Sequence, residues 1–177
     1  VIAQEGRERR EKVAKAEENR GMQGAVNPAY VCAEVSKRLA PNDIIVNEAV
    51  RNVPTVLNHV SRTEPGTYHG FAGGGLGCSA GLALGAKLAR PDATVVQFVG
   101  DGGFYFNNPS STYTVSKQYR LPILSVVLDN SGWSAVKEAT LRMYSQGEAF
   151  AANKFQAGLQ ADVDFSKVVE AVGGHGE

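Results

Sequence analysis

The apolar residues of this chain gather into short continuous runs separated by stretches with helical character. The apolar runs predict buried strands at Asp43–Asn47, Thr94–Val99 and Ile123–Leu128. Helices are predicted from Pro28 to before Pro41, from Ser79 to Leu88, from Asn108-Pro109 to near Tyr119, from Trp133 to Met143, and from Asp164 to Val172. Apolar strands alternating with helices are typical of a parallel sheet covered on both faces. The predicted fold class is therefore α/β, with a doubly wound, mostly parallel sheet and helices on both faces.

The N-terminal segment differs from the rest of the chain. Residues 1–20 are dense in charge and carry only a thin apolar stripe, which indicates a solvated helix or linker that packs against something outside this sequence. Asn27 can cap a helix whose first turn holds Pro28. We therefore expect residues 1–26 to be a charged helical linker from a preceding domain, and residues 27–177 to be the folded domain.

Composition excludes several classes of protein. The 177 residues carry 18 Lys and Arg against 18 Asp and Glu, so nothing in the charge favours nucleic acid or a membrane surface. No apolar run is long enough to span a bilayer. Cys32 and Cys78 form neither a CxxC motif nor a disulfide framework, so a reducing compartment such as the cytoplasm is expected. Because the chain begins at Val1 and ends abruptly at Glu177, we expect it to be part of a longer polypeptide.

The stretch VGDGGF, residues 99–104, directly follows a predicted strand. Glycines at 100, 102 and 103 let backbone amides approach a ligand, and Asp101 offers an anionic oxygen suited to Mg²⁺ or Ca²⁺ bridged to phosphate. Taken alone, this stretch could equally be a tight turn.

Two further loops make a ligand site more favoured than a tight turn at residues 99–104. Asp129-Asn130-Ser131-Gly132 follows the next predicted strand, and the carboxyl ends of parallel strands meet at one edge of a sheet. Asp101, the Asn130 side chain and a backbone carbonyl near Gly132 would then supply oxygen ligands to one ion, although this loop could also be only a turn. The run Gly73-Gly74-Gly75-Leu76-Gly77 suits either backbone contact with a ligand or tight helix packing.

Together the three loops resemble the signature of thiamine diphosphate enzymes. The segment GGGLGCSAGLALGAKLARPDATVVQFVGDGGF is similar to the corresponding segment of the acetolactate synthase, benzoylformate decarboxylase and pyruvate decarboxylase group. The resemblance covers roughly Pro28 to Glu177, which is the C-terminal diphosphate-binding domain of that group. It implies thiamine diphosphate and Mg²⁺ as cofactors, a 2-keto acid or related small-molecule substrate, and a homodimer or homotetramer.

The resemblance also implies roles for individual residues. It makes Asp101, the Asn130 side chain and the Gly132 carbonyl the metal ligands, with amides of Gly102 and Gly103 at the diphosphate. Leu76 falls at the apolar wedge under the cofactor, and Gly74 at the carbonyl that accepts from the aminopyrimidine. The other implied cofactor contacts are Glu48, Ala49, Val50, Gly100, Ser131 and Trp133.

Several positions stay open at this stage. Val136 falls where the family places a residue facing the substrate, but it could be plain core. Trp133 could line the site or only pack, and Arg51 could offset diphosphate charge or lie on the surface. The family's pair of asparagines is Asp129-Asn130 here, and the spacing from Asp101 is slightly longer than usual, with the extra length expected around Asn107-Asn108-Pro109.

In this family, the glutamate that activates the cofactor lies on a different, pyrimidine-binding domain. Glu34, Glu48 and Glu138 do not match it and are expected to be surface or capping groups, so this chain alone should catalyse nothing. Two other classes of protein are alternatives. A nucleotide-binding dehydrogenase would need a GxGxxG motif after the first strand, where Asn47 to Val50 lacks it. A non-catalytic module derived from such an enzyme is the other alternative.

Overall fold

A computed structural model describes residues 2–70, 74–159 and 163–177 of the chain. Its elements, in chain order, are α1 (Ile2–Glu18), β1 (Gly21–Met22), β2 (Ala25–Val26), α2 (Pro28–Ser36), β3 (Ile44–Glu48), a 3₁₀ turn (Val50–Asn52), α3 (Val53–His59), β4 (Tyr68–Gly70), α4 (Ser79–Ala89), β5 (Val95–Gly100), α5 (Asp101–Phe106), α6 (Pro109–Tyr119), β6 (Leu124–Leu128), α7 (Ser134–Met143), α8 (Glu148–Ala151) and α9 (Ser166–Glu170).

Four of the strands form one parallel sheet in the order β4-β3-β5-β6. Ile45 lies opposite Val96, and Gly100 lies opposite Leu128. The carboxyl ends of β3, β5 and β6 therefore meet at the same edge of the sheet. The short antiparallel hairpin β1–β2 is separate from it.

Alternate residues of the strands supply two apolar clusters, one on each face of the sheet. Ile45, Val96 and Phe98 pack with Cys32 of α2 and Val56 of α3. The other cluster comprises Ile44, Val46, Ala83, Ala93 and Val95, of which Ala83 belongs to α4. The predicted α/β fold, a parallel sheet with helices on both faces, is therefore confirmed.

The predicted boundaries of strands and helices are mostly close to the observed ones. Strands β3, β5 and β6 each begin one residue later than predicted, and α4, α6 and α7 match within a residue. The prediction for α2 was too long. Beyond Ser36 the N–H groups of Arg38 and Leu39 bond carbonyls three residues back, and this tighter turn ends the helix. Helix α9 is also shorter than predicted.

Seven elements of the fold were not predicted from the pattern: β1, β2, the 3₁₀ turn, α3, β4, α5 and α8. The most consequential is α5, because it starts at Asp101 in the stretch read as a glycine-rich turn. Gly102 and Gly103 lower helix propensity, but burial of Phe104 against the rest of the domain outweighs that preference.

The charged N-terminal helix is confirmed as a helix, and it packs against α2 and α3. Glu17 Oε1 lies 2.9 Å from Nδ1 of His59, and Arg9 donates to Asn58 Oδ1 at 2.6 Å. Its role as a linker from a preceding domain stays a prediction. None of the helices in the described ranges has both the length and the apolar character needed to cross a membrane.

Asn27 joins this N-terminal helix to the start of α2. Its Oδ1 accepts from the Ala29 N–H at 3.0 Å, which confirms the predicted cap. Its Nδ2 donates to the carbonyls of Ala16 at 3.1 Å and Asn19 at 2.9 Å. One side chain thus caps α2 and holds the end of α1.

We expect Asn27→Ala to lower the free energy of unfolding by about 1–2 kcal/mol, because it removes the helix cap. Asn27→Ser keeps an acceptor for the cap but loses the amide donor, so its stability should fall between the two. Urea denaturation of the three proteins measures this. Equal stability of the alanine variant and the parent would contradict the assigned role.

Candidate functional site

A cleft of about 260 Å³ opens at the carboxyl edge of the sheet. Segments following β3, β5 and β6, together with the glycine-rich segment before α4, form its walls. Its lining residues are Glu48, Ala49, Val50, Arg51, Asn52, Gly74, Leu76, Gly100, Asp101, Gly102, Gly103, Leu128, Asn130, Gly132, Trp133, Ser134, Ala135 and Val136.

Almost all of the predicted site residues line this cleft. The exception is Ser131, whose N–H donates to Asp129 Oδ1 at 2.7 Å and whose carbonyl accepts from the Leu159 N–H at 2.9 Å. Gly73, part of the predicted glycine-rich loop, lies outside the described residues. The individual roles of these residues toward a cofactor stay predictions.

Asp101 is the first residue of α5 and is only 1% exposed. Its Oδ2 accepts from the Gly132 N–H at 2.6 Å, which ties the ends of β5 and β6 together. Burial raises the pKa of this carboxyl, amide hydrogen bonds from Gly132 and Gly102 oppose the rise, and the nearby Asp129 carboxyl adds to it. Among the ion pairs of the described residues, none involves Asp101. A buried carboxylate with an acidic neighbour and no cationic partner suits a bound cation.

The loop after β6 supplies further oxygen atoms. Asn130 Oδ1 accepts from the Ser134 hydroxyl at 2.5 Å, at the start of α7. Gly132 is enclosed by Ala157, whose carbonyl accepts from the Trp133 N–H at 2.8 Å and leaves no space for a Cβ at position 132. Carboxylate, amide and backbone carbonyl oxygens form the hard donor set that Mg²⁺ prefers.

No group of three or more His, Cys, Asp and Glu side chains could hold a metal in the part of the chain that the structure describes. A metal at the strand ends would therefore depend on amide and backbone oxygens in addition to Asp101.

Trp133 lines the cleft and packs against Gly102 and Phe106. Its indole ring lies where a Cβ on Gly102 would fall, and it meets Phe106 edge-on with ring centroids 6.1 Å apart. The indole Nε1 is buried and has no hydrogen-bond partner among the residues that the structure describes.

Glu48 lines the cleft, but both of its carboxylate oxygens are already used. Oε1 accepts from the Gly77 N–H, and Oε2 accepts from the Ser79 N–H at 2.8 Å and from Asn107 Nδ2 at 3.2 Å. Because Ser79 begins α4, this supports the expectation of a capping role. Asn107 also donates to the Gly103 carbonyl at 2.7 Å, so it connects the two glycine-rich segments. Sequence reasoning placed extra length near Asn107 but missed this buried role.

Arg51 and Val136 both line the cleft. Arg51 Nε is 2.7 Å from Glu138 Oε1, an ion pair that no sequence pattern indicated. Val136 is 52% exposed and lines the cleft, so it is not a core residue. Leu128, Asn52, Ser134 and Ala135 also line the cleft and were missed, although each lies within four residues of a predicted position.

These features define a parallel α/β domain with a ligand cleft at the carboxyl ends of its strands, the usual position for ligands in such sheets. The family described as thiamine pyrophosphate enzyme, C-terminal TPP binding domain, matches residues 52–177, and the chain belongs to this family. The predicted family is therefore confirmed.

Similar proteins come from the same group of enzymes. The chain is 35% identical over 115 residues to benzoylformate decarboxylase from Pseudomonas aeruginosa, covering 64% of this chain and 21% of that protein. It is 35% identical over 153 residues to the probable acetolactate synthase of Mycobacterium bovis, covering 86% and 26% respectively. The chain thus spans only about a quarter or less of these relatives.

The fold is also found in solved enzymes. The thiamine diphosphate-dependent 4-hydroxybenzoylformate decarboxylase of Rhodococcus jostii RHA1 matches with a TM-score of 0.75 at 24% identity, covering 86% of this chain and 27% of that one. At this identity, the likeness supports the fold alone.

We expect Gly102→Ala to destabilise the protein by about 1–3 kcal/mol, because the new methyl group would overlap the Trp133 ring. Gly100→Ala is the matched control, since a Cβ there meets no atom within 4 Å and φ is −80°. Thermal unfolding of both variants tests this. A Gly102→Ala protein as stable as Gly100→Ala would contradict the packing described.

We expect Asp101→Asn to stabilise the metal-free protein at neutral pH. The raised pKa means that folding disfavours the ionised carboxylate. That penalty is fully present above the raised pKa and disappears as the pH falls toward the ordinary value of 3.8. The variant's advantage in melting temperature should therefore shrink on acidification, and Mg²⁺ should stabilise only the parent. A variant less stable than the parent at every pH would contradict this.

Proposed function

We propose that this chain is the diphosphate-binding part of an enzyme that uses thiamine diphosphate and Mg²⁺ to decarboxylate 2-keto acids or to join them to a second carbonyl compound. One observation carries the proposal: Asp101, Asn130 and Gly132 line one cleft, and the buried Asp101 carboxylate forms no ion pair with a basic side chain of the described residues. The names of its relatives, which include a benzoylformate decarboxylase, an acetolactate synthase and a 2-hydroxyacyl-CoA lyase from Homo sapiens, support the same class of chemistry.

The residues of the cleft fit these cofactors. Asp101, the Asn130 side chain and the Gly132 carbonyl would hold Mg²⁺, and the amides of Gly102 and Gly103 would meet the diphosphate. The open space beside Gly74 and Gly100, where a Cβ would meet no atom, leaves room for the ligand. In the bound state, thiamine diphosphate supplies a nucleophilic carbon and an electron sink for the carbon–carbon bond that breaks.

The remaining cleft residues would orient the ligand and keep water away. Leu76 would support the cofactor from beneath, and the Gly74 carbonyl would accept a hydrogen bond from its amino group. Val50 and Val136 present apolar surface on the cleft, so we expect a dry contact with the substrate. A dry cleft strengthens the electrostatic interactions made inside it.

The carboxylate that activates the cofactor belongs, in this proposal, to a pyrimidine-binding domain outside this sequence, and two subunits share each site in a homodimer or homotetramer. The three candidate glutamates support this, because each already has partners. Glu34 pairs with Lys37 and Arg38, Glu48 accepts backbone amides, and Glu138 pairs with Arg51.

Tryptophan fluorescence offers a direct test, because Trp133, the single tryptophan of these 177 residues, lines the cleft. A Trp133→Phe variant separates its emission from that of any tryptophan elsewhere in the complete protein. We expect thiamine diphosphate with Mg²⁺ to change the Trp133 emission in protein expressed from the complete gene, and EDTA to reverse the change. The double variant Asp101→Ala, Asn130→Ala should bind at least about tenfold more weakly, since it loses charged and polar metal ligands.

Asp92→Asn is the matched control, because Asp92 is an exposed carboxylate in the turn before β5. It should leave the fluorescence titration unchanged. Binding of the same strength in the double variant and the parent would refute the proposed metal site.

A further inference from the structure

Asn107 is a buried residue that directly follows α5 and joins three segments around the cleft. Its side chain is hydrogen-bonded to α4, α5 and β3 at once. Oδ1 accepts from the Ala80 N–H in the first turn of α4 at 2.7 Å. Nδ2 donates to the Gly103 carbonyl in α5 at 2.7 Å and to Glu48 Oε2 at the end of β3 at 3.2 Å. Asn107 itself does not line the cleft in the part of the chain that the structure describes, so it can act on a ligand only through these segments.

The glycine-rich segment before α4, residues 74–77, is also in direct contact with α5. Gly77 has a φ of +93°, a backbone conformation that favours glycine, and a Cβ there would overlap the carbonyl of Phe106. The Gly77 N–H donates to Glu48 Oε1. Segment 74–77 and α5 are thus held together by a close backbone contact as well as by Asn107.

A buried chain of hydrogen bonds anchors the start of α4 to the sheet. Ser79 Oγ accepts from Gln97 Nε2 at 2.6 Å and lies 3.3 Å from Asn107 Nδ2. Gln97 Oε1 accepts from the Ser125 hydroxyl at 2.7 Å. Ser79 and Gln97 are each 1% exposed, so water cannot readily replace these bonds. The position of α4 is therefore fixed relative to β5 and β6.

The backbone of α5 does not depend on the Asn107 side chain. The Asn107 N–H donates to the same Gly103 carbonyl at 3.0 Å, and the Thr112 hydroxyl donates to the Asn107 carbonyl at 2.8 Å. Removal of the side-chain amide would leave these two bonds in place. What it would change is the hold of α5 on the start of α4 and on Glu48.

We propose that Asn107 is a positioning residue, which holds segment 74–77 at the distance from α5 that allows one thiamine diphosphate molecule to contact both. This inference rests on the proposed function, in which the α5 glycines meet the diphosphate and segment 74–77 meets the ring half of the cofactor. A ligand held at two points gains affinity from the second only when the spacing of the two fits. Loss of Asn107 should therefore weaken binding of thiamine diphosphate and spare inorganic pyrophosphate, which needs only the first point.

Two substitutions separate this role from simple filling of space. Asn107→Ala removes the side-chain amide, so affinity for thiamine diphosphate should fall about tenfold, with no change for pyrophosphate. Asn107→Asp keeps the volume and the acceptor for the Ala80 N–H, but it places a carboxylate oxygen where an amide donated to Glu48. Like charges repel, so this variant should lose at least as much affinity for thiamine diphosphate.

The measurement is calorimetric titration of protein expressed from the complete gene, with thiamine diphosphate and with inorganic pyrophosphate in separate experiments, both in Mg²⁺. Asp43→Ala is the matched control, because Asp43 is a buried side chain at the opposite edge of the sheet. Its two carboxylate oxygens accept from the N–H groups of Thr94 and Ala40, each at 2.7 Å. The control should bind both ligands as the parent does. Circular dichroism at the titration temperature establishes that each variant is folded.

Each result has a distinct meaning. Weaker thiamine diphosphate binding in both Asn107 variants, with unchanged pyrophosphate binding and an unchanged control, establishes the proposal. Equal losses for the two ligands, no loss, or the same selective loss in Asp43→Ala would overturn it. Parent-like binding of thiamine diphosphate by Asn107→Asp would assign the residue to packing and would likewise overturn it. Failure of the parent protein to bind either ligand would instead refute the proposed function.

Discussion

The hydrogen bond from the Gly132 N–H to Asp101 Oδ2, 2.6 Å long, joins the carboxyl ends of two adjacent parallel strands. The rest of the site depends on it, because it fixes the loop after β6 against the start of α5. Parallel register places both strand ends at one edge, with Gly100 opposite Leu128. The parallel register therefore places several oxygen atoms around the buried carboxylate of Asp101.

Two buried carboxylates at neighbouring strand ends have different environments. Glu48 is held by hydrogen bonds that stabilise the fold, and Asp101 belongs to the candidate metal site. Glu48 at the end of β3 accepts from two backbone amides and from Asn107, so its charge is fully solvated by the protein. Asp101, just past the end of β5, accepts backbone amides as well, but its neighbour is another acid, Asp129. Glu48 thus secures the start of α4, while Asp101 lacks compensation by a positive charge among the described residues.

Sequence patterns predicted the sheet and the loops that carry Asp101 and Asn130 for a clear physical reason, whereas most other cleft residues were implied only by the family resemblance. Buried parallel strands are continuous apolar runs, and glycines with polar side chains directly after them mark the edge where ligands bind. The pattern therefore found Asp101 and Asn130 together. It did not find α5, because Gly102 and Gly103 indicate a turn, and only packing of Phe104 shows why the helix forms.

The hydrophobic and polar pattern of the sequence could not predict contacts between distant segments. Asn107 looked like part of a loop insertion, yet it lies 59 positions from its partner Glu48 and at the centre of a buried network. The pair of Arg51 and Glu138 depends on α7 packing against the turn after β3. Local propensity carries no information about such pairs. The sequence likewise could not decide whether Val136 and Trp133 line the cleft or only pack, because distant segments form the cleft.

In the proposed function, the ends of β5 and β6 hold a single divalent cation. Crystals grown with Mn²⁺ and thiamine diphosphate, examined by anomalous scattering at the manganese edge, test it most directly. One Mn²⁺ peak is expected about 2.0–2.3 Å from an Asp101 carboxylate oxygen, Asn130 Oδ1 and the Gly132 carbonyl oxygen. A bound diphosphate with no metal at these three oxygens, or a metal held elsewhere, would contradict the claim.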